Sequence, residues 1–221
     1  MKLYDCRNPA ERDSGTAAAV AAARRGDLVV MPTDTLYGLG CDAFKKHAVK
    51  ALFRAKDRNR DMPLIVMVGS RKTLDGLAYR LPKPARALAD AFWPGALTII
   101  VEHAKSLDWD LGETGGTVAV RMPLHPVALE VLREVGPMAV TSANKSSQPP
   151  AVTAEQAQEQ LGYSARVYLD GGPSPAALPS TIVDLTTSQP ELLRAGSIGV
   201  DRLREVVPDL VVPESESVTG A

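Results

Sequence analysis

Cysteine and histidine are scarce in this chain of 221 residues. The two cysteines, Cys6 and Cys41, form no C-x-x-C pair, which argues against a disulfide framework and a cysteine-rich zinc site. The three histidines (His47, His103 and His125) form no H-E-x-x-H motif. They also offer no obvious general base for a serine or cysteine nucleophile.

Long apolar runs and aromatic residues are scarce as well. No uncharged apolar run reaches the roughly 18 residues that a membrane span needs, and the first residues lack the apolar core of a signal peptide. We therefore expect a cytoplasmic protein with no membrane association. Aromatic residues make up 5% of the chain and the formal net charge is −1, which argues against a surface that coats nucleic acid.

Positive charge is concentrated in one segment. Residues 45–72 contain nine cations and two anions. Such asymmetry favours a local site for an anionic ligand.

Apolar periodicity predicts helices and strands mixed throughout a single α/β domain. Buried strands are predicted at 28–31, 64–68, 97–101, 117–120, 138–140, 166–169, 181–185 and 191–193. Helices are predicted from Ser14 to the glycine at 26, and at 47–56, 73–79, 84–92, 126–134 and 154–161, the last capped by Thr153. We expect the domain to span 1–208 and residues 209–221 to form a flexible tail.

Polar segments follow four of the predicted strands, and they contain Thr35, Arg121, Ser142 and Arg194. In open α/β sheets the ligand crevice lies outside the carboxyl ends of the strands, so these segments predict a pocket for a polar, anionic ligand. Each could also be a turn former or a solvated arginine. Without a protein nucleophile, any chemistry should proceed by positioning and electrostatics.

Lys56 and Arg58 are the strongest candidates for an anion site. Lys56 continues the buried stripe of Val49, Leu52 and Phe53 on its helix, where a lysine needs an anionic partner or a route to water. A lysine beside an arginine suits phosphate oxygens. The alternative is a solvated helix end that the helix dipole stabilises.

Eight segments occur in the order found in the YrdC family, which the chain resembles over about residues 14–207. They are PTDTLYGLG (32–40), KDRNRDMPLIV (56–66), FWPGALT (92–98), RMPLHP (121–126), TSAN (141–144), DGG (170–172), STIVD (180–184) and LRAG (193–196). The resemblance is to the short form of the family, without the extra C-terminal domain. It implies one mixed α/β domain, with a twisted sheet and flanking helices around a large basic cavity.

The resemblance implies a nucleotidyltransferase, L-threonylcarbamoyladenylate synthase. This activity converts L-threonine, bicarbonate or CO2, and ATP into threonylcarbamoyl-AMP and pyrophosphate. ATP is a substrate, and Mg²⁺ is expected to be held mainly by phosphates and water rather than by protein ligands. The product would pass to a threonylcarbamoyl transferase complex that modifies tRNA.

The resemblance also implies site residues. Those expected to contact threonine are Thr35, Met67, Arg121, Ser142 and Ser180. Those expected to contact ATP are Lys56, Arg58, Met62, Thr117, Asn144, Val152 and Arg194, of which Lys56 and Arg58 are the expected catalytic residues. Met67 stands where many relatives have histidine and Met62 where they often have asparagine, so both are expected to contribute backbone or apolar contacts.

Two other functions remain open from the sequence. One is an RNA-binding module that uses the cations of residues 45–72, which also allows weak RNA binding by the enzyme. The other is a relative that forms a carbamoyl-adenylate and passes it to a different acceptor.

Overall fold

The computed structural model describes residues 1–175 and 178–213 of the chain. Over these residues, ten strands form one sheet and seven α-helices pack against it. The strands are β1 (Lys2–Asp5), β2 (Val29–Met31), β3 (Gly38–Asp42), β4 (Ile65–Met67), β5 (Leu97–Glu102), β6 (Thr117–Arg121), β7 (Met138–Ser142), β8 (Val167–Asp170), β9 (Thr181–Asp184) and β10 (Glu191–Arg194). The helices are α1 (Pro9–Arg25), α2 (Lys46–Lys56), α3 (Thr73–Leu77), α4 (Lys83–Phe92), α5 (Pro126–Val135), α6 (Ala154–Leu161) and α7 (Val200–Arg204).

The sheet is mixed, in the order β1-β8-β2-β3-β7-β4-β6-β5-β9-β10. The pairs β1–β8, β2–β8, β4–β6 and β5–β9 are parallel. The pairs β2–β3, β3–β7, β4–β7, β5–β6 and β9–β10 are antiparallel. This architecture confirms the expected single α/β domain built on a mixed sheet.

Each face of the sheet is covered by its own hydrophobic core, because successive side chains of a strand point to opposite faces. In β7, Met138 and Val140 belong to the core that contains α1 and α5. Ala139, between them, belongs to the larger core that contains α2, α4 and α6. The sheet is therefore the middle layer of three.

The first helix begins earlier than predicted. It starts at Pro9, after Asn8, whose side chain accepts a hydrogen bond from the Ala10 amide. Ser14 lies inside the helix and donates its hydroxyl proton to the Ala10 carbonyl at 3.1 Å. The predicted start at Ser14 is wrong because the Asn-Pro pair is the stronger start signal. The predicted end is confirmed by Gly26, which adopts a left-handed φ of 93°.

Helix α6 and its cap are confirmed, since the Thr153 side chain accepts a hydrogen bond from the Gln156 amide.

Two strands, β1 and β3, were not predicted from the sequence. Strand β3 contains Gly38 and Gly40, and glycine weakens a strand interior. A Cβ on Gly38 would lie 2.9 Å from Val140 Cγ1 on the neighbouring strand. The glycine is thus required by the close packing of β3 on β7, which no local pattern reveals.

The segment expected to be a tail, 209–221, is described only to residue 213. Within that part, Leu210 is buried and the amide of Val211 donates to the Pro190 carbonyl at 2.9 Å. The Leu192 amide of β10 donates back to the Val211 carbonyl at 2.8 Å. Residues 210 and 211 are therefore held against β10, and residues 214–221 lie outside the described residues.

The helices were also compared with the length that a membrane span needs. Within residues 1–175 and 178–213, none is both long and apolar enough to cross a bilayer.

Candidate active site

Many of the predicted site residues line one cleft of about 240 Å³. The residues that line the cleft include Thr35, Tyr37, Arg58, Met67, Arg121, Thr141, Ser142, Pro179, Ser180 and Arg194. Ligand pockets commonly measure roughly 300–1,000 Å³, so the cleft in this structure is smaller than the large cavity that the resemblance implied. Of the described lining residues, three are arginines and none carries a carboxylate, which makes the cleft suited to an anion.

The cleft lies across a face of the sheet. The register pairs Ile65 with Val140 and Met67 with Arg121, and paired residues share a face. All four line the cleft. Because β4 is parallel to β6 and antiparallel to β7, the carboxyl ends of β6 and β7 point to opposite ends of the strands. Residues from all four predicted polar segments nevertheless line the cleft, which lies over a face of the sheet rather than beyond one end of its strands.

Arg121 ends β6 and is almost completely buried. Its Nε donates to the Gly95 carbonyl at 3.1 Å, Nη1 to Thr35 Oγ1 at 2.8 Å and Nη2 to Asp34 Oδ1 at 2.6 Å. Burial lowers the pKa of the guanidinium and the Asp34 carboxylate opposes that shift. A guanidinium has five N–H donors, so two remain for a ligand carboxylate.

Thr35 faces the cleft as a hydrogen-bond acceptor. Thr33 Oγ1 donates to the Leu36 carbonyl at 2.6 Å, so it must accept at its 3.0 Å contact with Thr35 Oγ1. Thr35 Oγ1 therefore donates its hydrogen bond to Thr33 Oγ1 and accepts one from Arg121 Nη1. Its remaining lone pair, which has no donor among the described residues, can accept a hydrogen bond from a ligand N–H or O–H.

Ser180 and Arg194 form a second polar group in the cleft. Arg194 donates through Nε and Nη2 to the Ser180 carbonyl, at 3.0 and 2.9 Å. Its Nη2 also donates to Ser180 Oγ at 3.0 Å. The guanidinium is held by neutral acceptors, so its charge remains available to an anionic ligand.

Lys56 is buried at the end of α2, as its place on the apolar stripe predicts. Its Nζ donates to the Ser142 carbonyl at 2.7 Å, to Ser142 Oγ at 3.3 Å and to Asn144 Oδ1 at 2.9 Å. Burial, reinforced by Arg58, lowers the pKa of Lys56 to about 8. An ammonium has three donors, so this arrangement leaves none for the phosphate contact expected of Lys56.

Arg58 reaches the cleft from the loop after α2. Its Nε donates to the Met62 carbonyl at 2.9 Å, its Nη2 to the Pro63 carbonyl at 3.2 Å and its Nη1 to Thr141 Oγ1 at 3.3 Å. Partial burial lowers the pKa of the guanidinium. Two of its N–H groups have no partner in the described part of the chain, so Arg58 can donate to an anion.

Besides Lys56, four residues expected at the nucleotide do not line the cleft in this structure. The Met62 side chain is 47% exposed, and its carbonyl serves Arg58 instead. Thr117 donates to the Thr114 carbonyl at the far end of β6 from Arg121. Asn144 accepts from Lys56 through Oδ1 and donates through Nδ2 to the Lys145 and Gln148 carbonyls. The backbone amide of Val152 donates to Gln156 Oε1. By contrast, Met67 lines the cleft as expected.

Sequence reasoning assigned no role to Asp34, Tyr37 or Thr141. Tyr37 is fully buried, and its hydroxyl donates to the Gly172 carbonyl at 2.6 Å and accepts from the Gly171 amide at 3.1 Å. It thereby joins the PTDTLYGLG and DGG segments, which are far apart in the chain. All three residues lie inside the segments shared with the family, PTDTLYGLG (32–40) and TSAN (141–144), and that position could have identified them as site residues.

The cations of residues 45–72 do not form one binding face. Lys46 pairs with Asp108, and Arg60 pairs with Asp110. Arg71 lies 3.5 Å from Asp90. Of the nine, Arg58 lines the cleft and Lys56 lies directly behind it. Three of the nine cations are therefore in ion pairs and two lie at the cleft.

With this geometry established, the chain can be compared with known proteins. The family model described as Telomere recombination, which covers Sua5, YciO and YrdC proteins, matches residues 21–196. The chain belongs to this family. The match contains the described cleft residues, from Thr35 to Arg194.

Relatives within the Sua5/YciO/YrdC family carry informative names. A Mycobacterium tuberculosis protein, provisionally named as a threonylcarbamoyl-AMP synthase, is 57% identical over 93% of this chain and 95% of its own length. The threonylcarbamoyl-AMP synthase of Bacillus subtilis is 38% identical over 93% of this chain and 60% of its own length. The crystal structure of Pyrococcus abyssi Sua5 complexed with L-threonine matches with a TM-score of 0.86 and 36% identity, over 93% of this chain and 62% of that one.

Proposed function

We propose that this chain is an L-threonylcarbamoyladenylate synthase. It would form threonylcarbamoyl-AMP and pyrophosphate from L-threonine, bicarbonate or CO2, and ATP. The observation that carries the proposal is one cleft in which three guanidiniums converge with the hydroxyls of Thr35, Ser142 and Ser180 and no described lining residue is anionic. The names of its relatives, and the L-threonine bound by the Pyrococcus abyssi protein, support the same reading.

The amino acid would occupy the part of the cleft around Arg121. The two free N–H groups of Arg121 would hold the substrate carboxylate, and Asp34 keeps the guanidinium in place. Thr35 Oγ1 would accept a hydrogen bond from the substrate amine, hydroxyl or carbamate N–H. Met67 would add apolar contact, since it lines the same cleft.

The nucleotide phosphates would lie against Arg58 and Arg194. Both guanidiniums are anchored by protein carbonyls and keep free donors, so they need little reorganisation when phosphate binds. Lys56 would act through its charge and by fixing Ser142 and Asn144. Thr117, Met62 and Val152 would reach the nucleotide only with a change in this arrangement.

The reaction then needs positioning more than a protein nucleophile. The neutral amine of threonine bonds to the carbon of CO2 and releases one proton to water, which gives a carbamate. A carbamate oxygen bonds to the α-phosphorus of ATP while the bond to pyrophosphate breaks. Starting from bicarbonate, one water is released in place of that proton. Arg58 and Arg194 neutralise the charge that develops on the departing phosphates.

Mg²⁺ would accompany ATP as part of the substrate. The lining offers hydroxyls but no described carboxylate, and within the described residues no group of three or more His, Cys, Asp or Glu side chains could hold a metal. These residues fit a cation that phosphates and water hold. Bound there, Mg²⁺ would supply further neutralisation of phosphate charge.

We further propose that the product passes to a threonylcarbamoyl transferase complex for tRNA modification in the cytoplasm. The described structure gives the RNA-binding module no specific support, since three of the nine cations of residues 45–72 are in ion pairs and two lie at the cleft.

The test is pyrophosphate release from the protein with ATP, Mg²⁺, bicarbonate and L-threonine. Release should require both threonine and bicarbonate, and mass spectrometry should detect threonylcarbamoyl-AMP. Arg54→Ala removes an exposed cation from α2 outside the cleft and serves as a matched control for Arg58→Ala. Release that is equal without threonine refutes the proposal, and release with another amino acid in its place would support the carbamoyl-adenylate relative.

A further inference from the structure

Thr98 is a buried hydroxyl next to the cleft that the proposed chemistry leaves unused. It lies in β5 and is 0% exposed. Its Oγ1 is 2.8 Å from Ser180 Oγ, and this is its one hydrogen bond among residues 1–175 and 178–213. A buried hydroxyl is costly unless its proton has an acceptor, so the partner of Thr98 is informative.

The direction of this hydrogen bond follows from the available acceptors. Ser180 Oγ is the one acceptor that the described structure offers to the Thr98 proton, so Thr98 donates. Arg194 Nη2 donates to the same oxygen at 3.0 Å. A hydroxyl oxygen has two lone pairs, and both are then occupied. The proton of Ser180 must point away from both donors, and Ser180 lines the cleft.

The backbone around Ser180 leaves the hydroxyl little other freedom. The Ser180 carbonyl accepts from Nε and Nη2 of Arg194. The next amide, that of Thr181, donates to the Ala96 carbonyl at 2.9 Å. The main chain at Ser180 is therefore held in place. The hydrogen bonds from Thr98 and Arg194 then restrict rotation of the Ser180 hydroxyl about its C–O bond.

We propose that Thr98 is a positioning residue that makes Ser180 a hydrogen-bond donor toward the carboxylate of the amino-acid substrate. This inference rests on the proposed function. Thr35 is the opposite case, because Thr33 and Arg121 leave it as an acceptor. The cleft thus offers a donor at Ser180 and an acceptor at Thr35, two groups of opposite hydrogen-bonding character for the same ligand.

Calorimetric titration of the full chain tests the role directly, with L-threonine and with L-threoninol, which replaces the carboxylate by a hydroxymethyl group. Thr98→Val removes the donor at nearly constant shape and should weaken L-threonine binding roughly two- to tenfold, the effect of one neutral hydrogen bond. L-Threoninol binding should change much less. Thr98→Ser keeps a hydroxyl and should restore L-threonine binding.

A double-mutant cycle separates positioning from a general structural role. In a Ser180→Ala background, Thr98→Val should have no further effect on L-threonine binding, because Thr98 acts through Ser180. Thr98→Ala is measured alongside, since it removes the same donor without adding an apolar group that could prevent folding. Equal losses for both ligands, or an undiminished loss in the Ser180→Ala background, overturn the role of Thr98.

The same preparation distinguishes this failure from failure of the proposed function. If the unmodified chain releases pyrophosphate only with L-threonine and the Thr98 variants bind it normally, the role of Thr98 is wrong and the function stands. If the unmodified chain neither binds L-threonine nor requires it, the proposed function fails and the role of Thr98 fails with it.

Discussion

Lys56 should make the stability of this protein rise with pH over an unusual range. Its side chain is 2% exposed, and burial lowers its pKa from the ordinary 10.5 to about 8. Between those values the unfolded chain binds a proton at Lys56 that the folded chain has released. The free energy of unfolding therefore increases as pH rises from about 8 to 10.5. The charged lysine opposes folding below that window.

The size of the effect follows from the two pKa values. At about 1.4 kcal/mol for each pH unit, the difference between 10.5 and about 8 corresponds to at most about 3–4 kcal/mol. The three acceptors around Nζ favour the charged form and reduce this figure. Loss of the charge also weakens the positive field of the cleft, so pyrophosphate release should fall over the pH range in which stability rises.

Denaturant unfolding at several pH values between 7 and 10.5 measures this, with the native chain compared with Lys56→Met. The free energy of unfolding of the native chain minus that of Lys56→Met should increase with pH, because methionine does not titrate. Lys50→Met removes an exposed lysine from the same helix and controls for the loss of one charge. Parallel pH profiles for the native chain and Lys56→Met would refute the reasoning, and a direct NMR titration of the lysine Cε signals provides an independent check.

Further predictions concern the cleft arginines and the choice of amino acid. Arg121→Ala removes the ion-pair partner of Asp34, whose side chain is 13% exposed and keeps only the Leu124 amide as a donor among the described residues. Denaturant melts should therefore show a loss of up to about 3–5 kcal/mol, part of which Asp34→Asn restores. The KM for threonine should rise in Arg121→Ala, and a change confined to the KM for ATP would reassign this arginine. Arg58→Ala should lower pyrophosphate release about ten- to a hundredfold, the effect of one charge-assisted contact, while Arg54→Ala should not. Valine should be a very poor substrate, because its missing hydroxyl leaves buried polar groups of the site unpaired. Serine should be a weak substrate, because its missing methyl costs only about 1–3 kcal/mol. Equal kcat/KM values for valine and serine would contradict a site that recognises the substrate hydroxyl.

Local sequence patterns determined most of the elements of this fold. The stripe of Val49, Leu52 and Phe53 predicts α2, and the same spacing places Lys56 in the interior, where the structure has it. The cap at Thr153 and the left-handed Gly26 follow from side-chain chemistry within a few residues of each helix end. The eight ordered segments led to the family, and the chain belongs to it.

Tertiary structure alone decided the details on which the chemistry depends. Strand β3 exists because Gly38 and Gly40 fit beneath Val140, a neighbour about a hundred residues away. Lys56 finds its acceptors 86 and 88 positions along the chain, and Ser180 finds Thr98 at a separation of 82. Propensity and periodicity depend on nearby residues, whereas the partner of a buried proton is chosen by whichever distant segment packs against it. The sequence therefore determined which residues would be polar and buried, and only the packing of the sheet decided which of them donate and which accept.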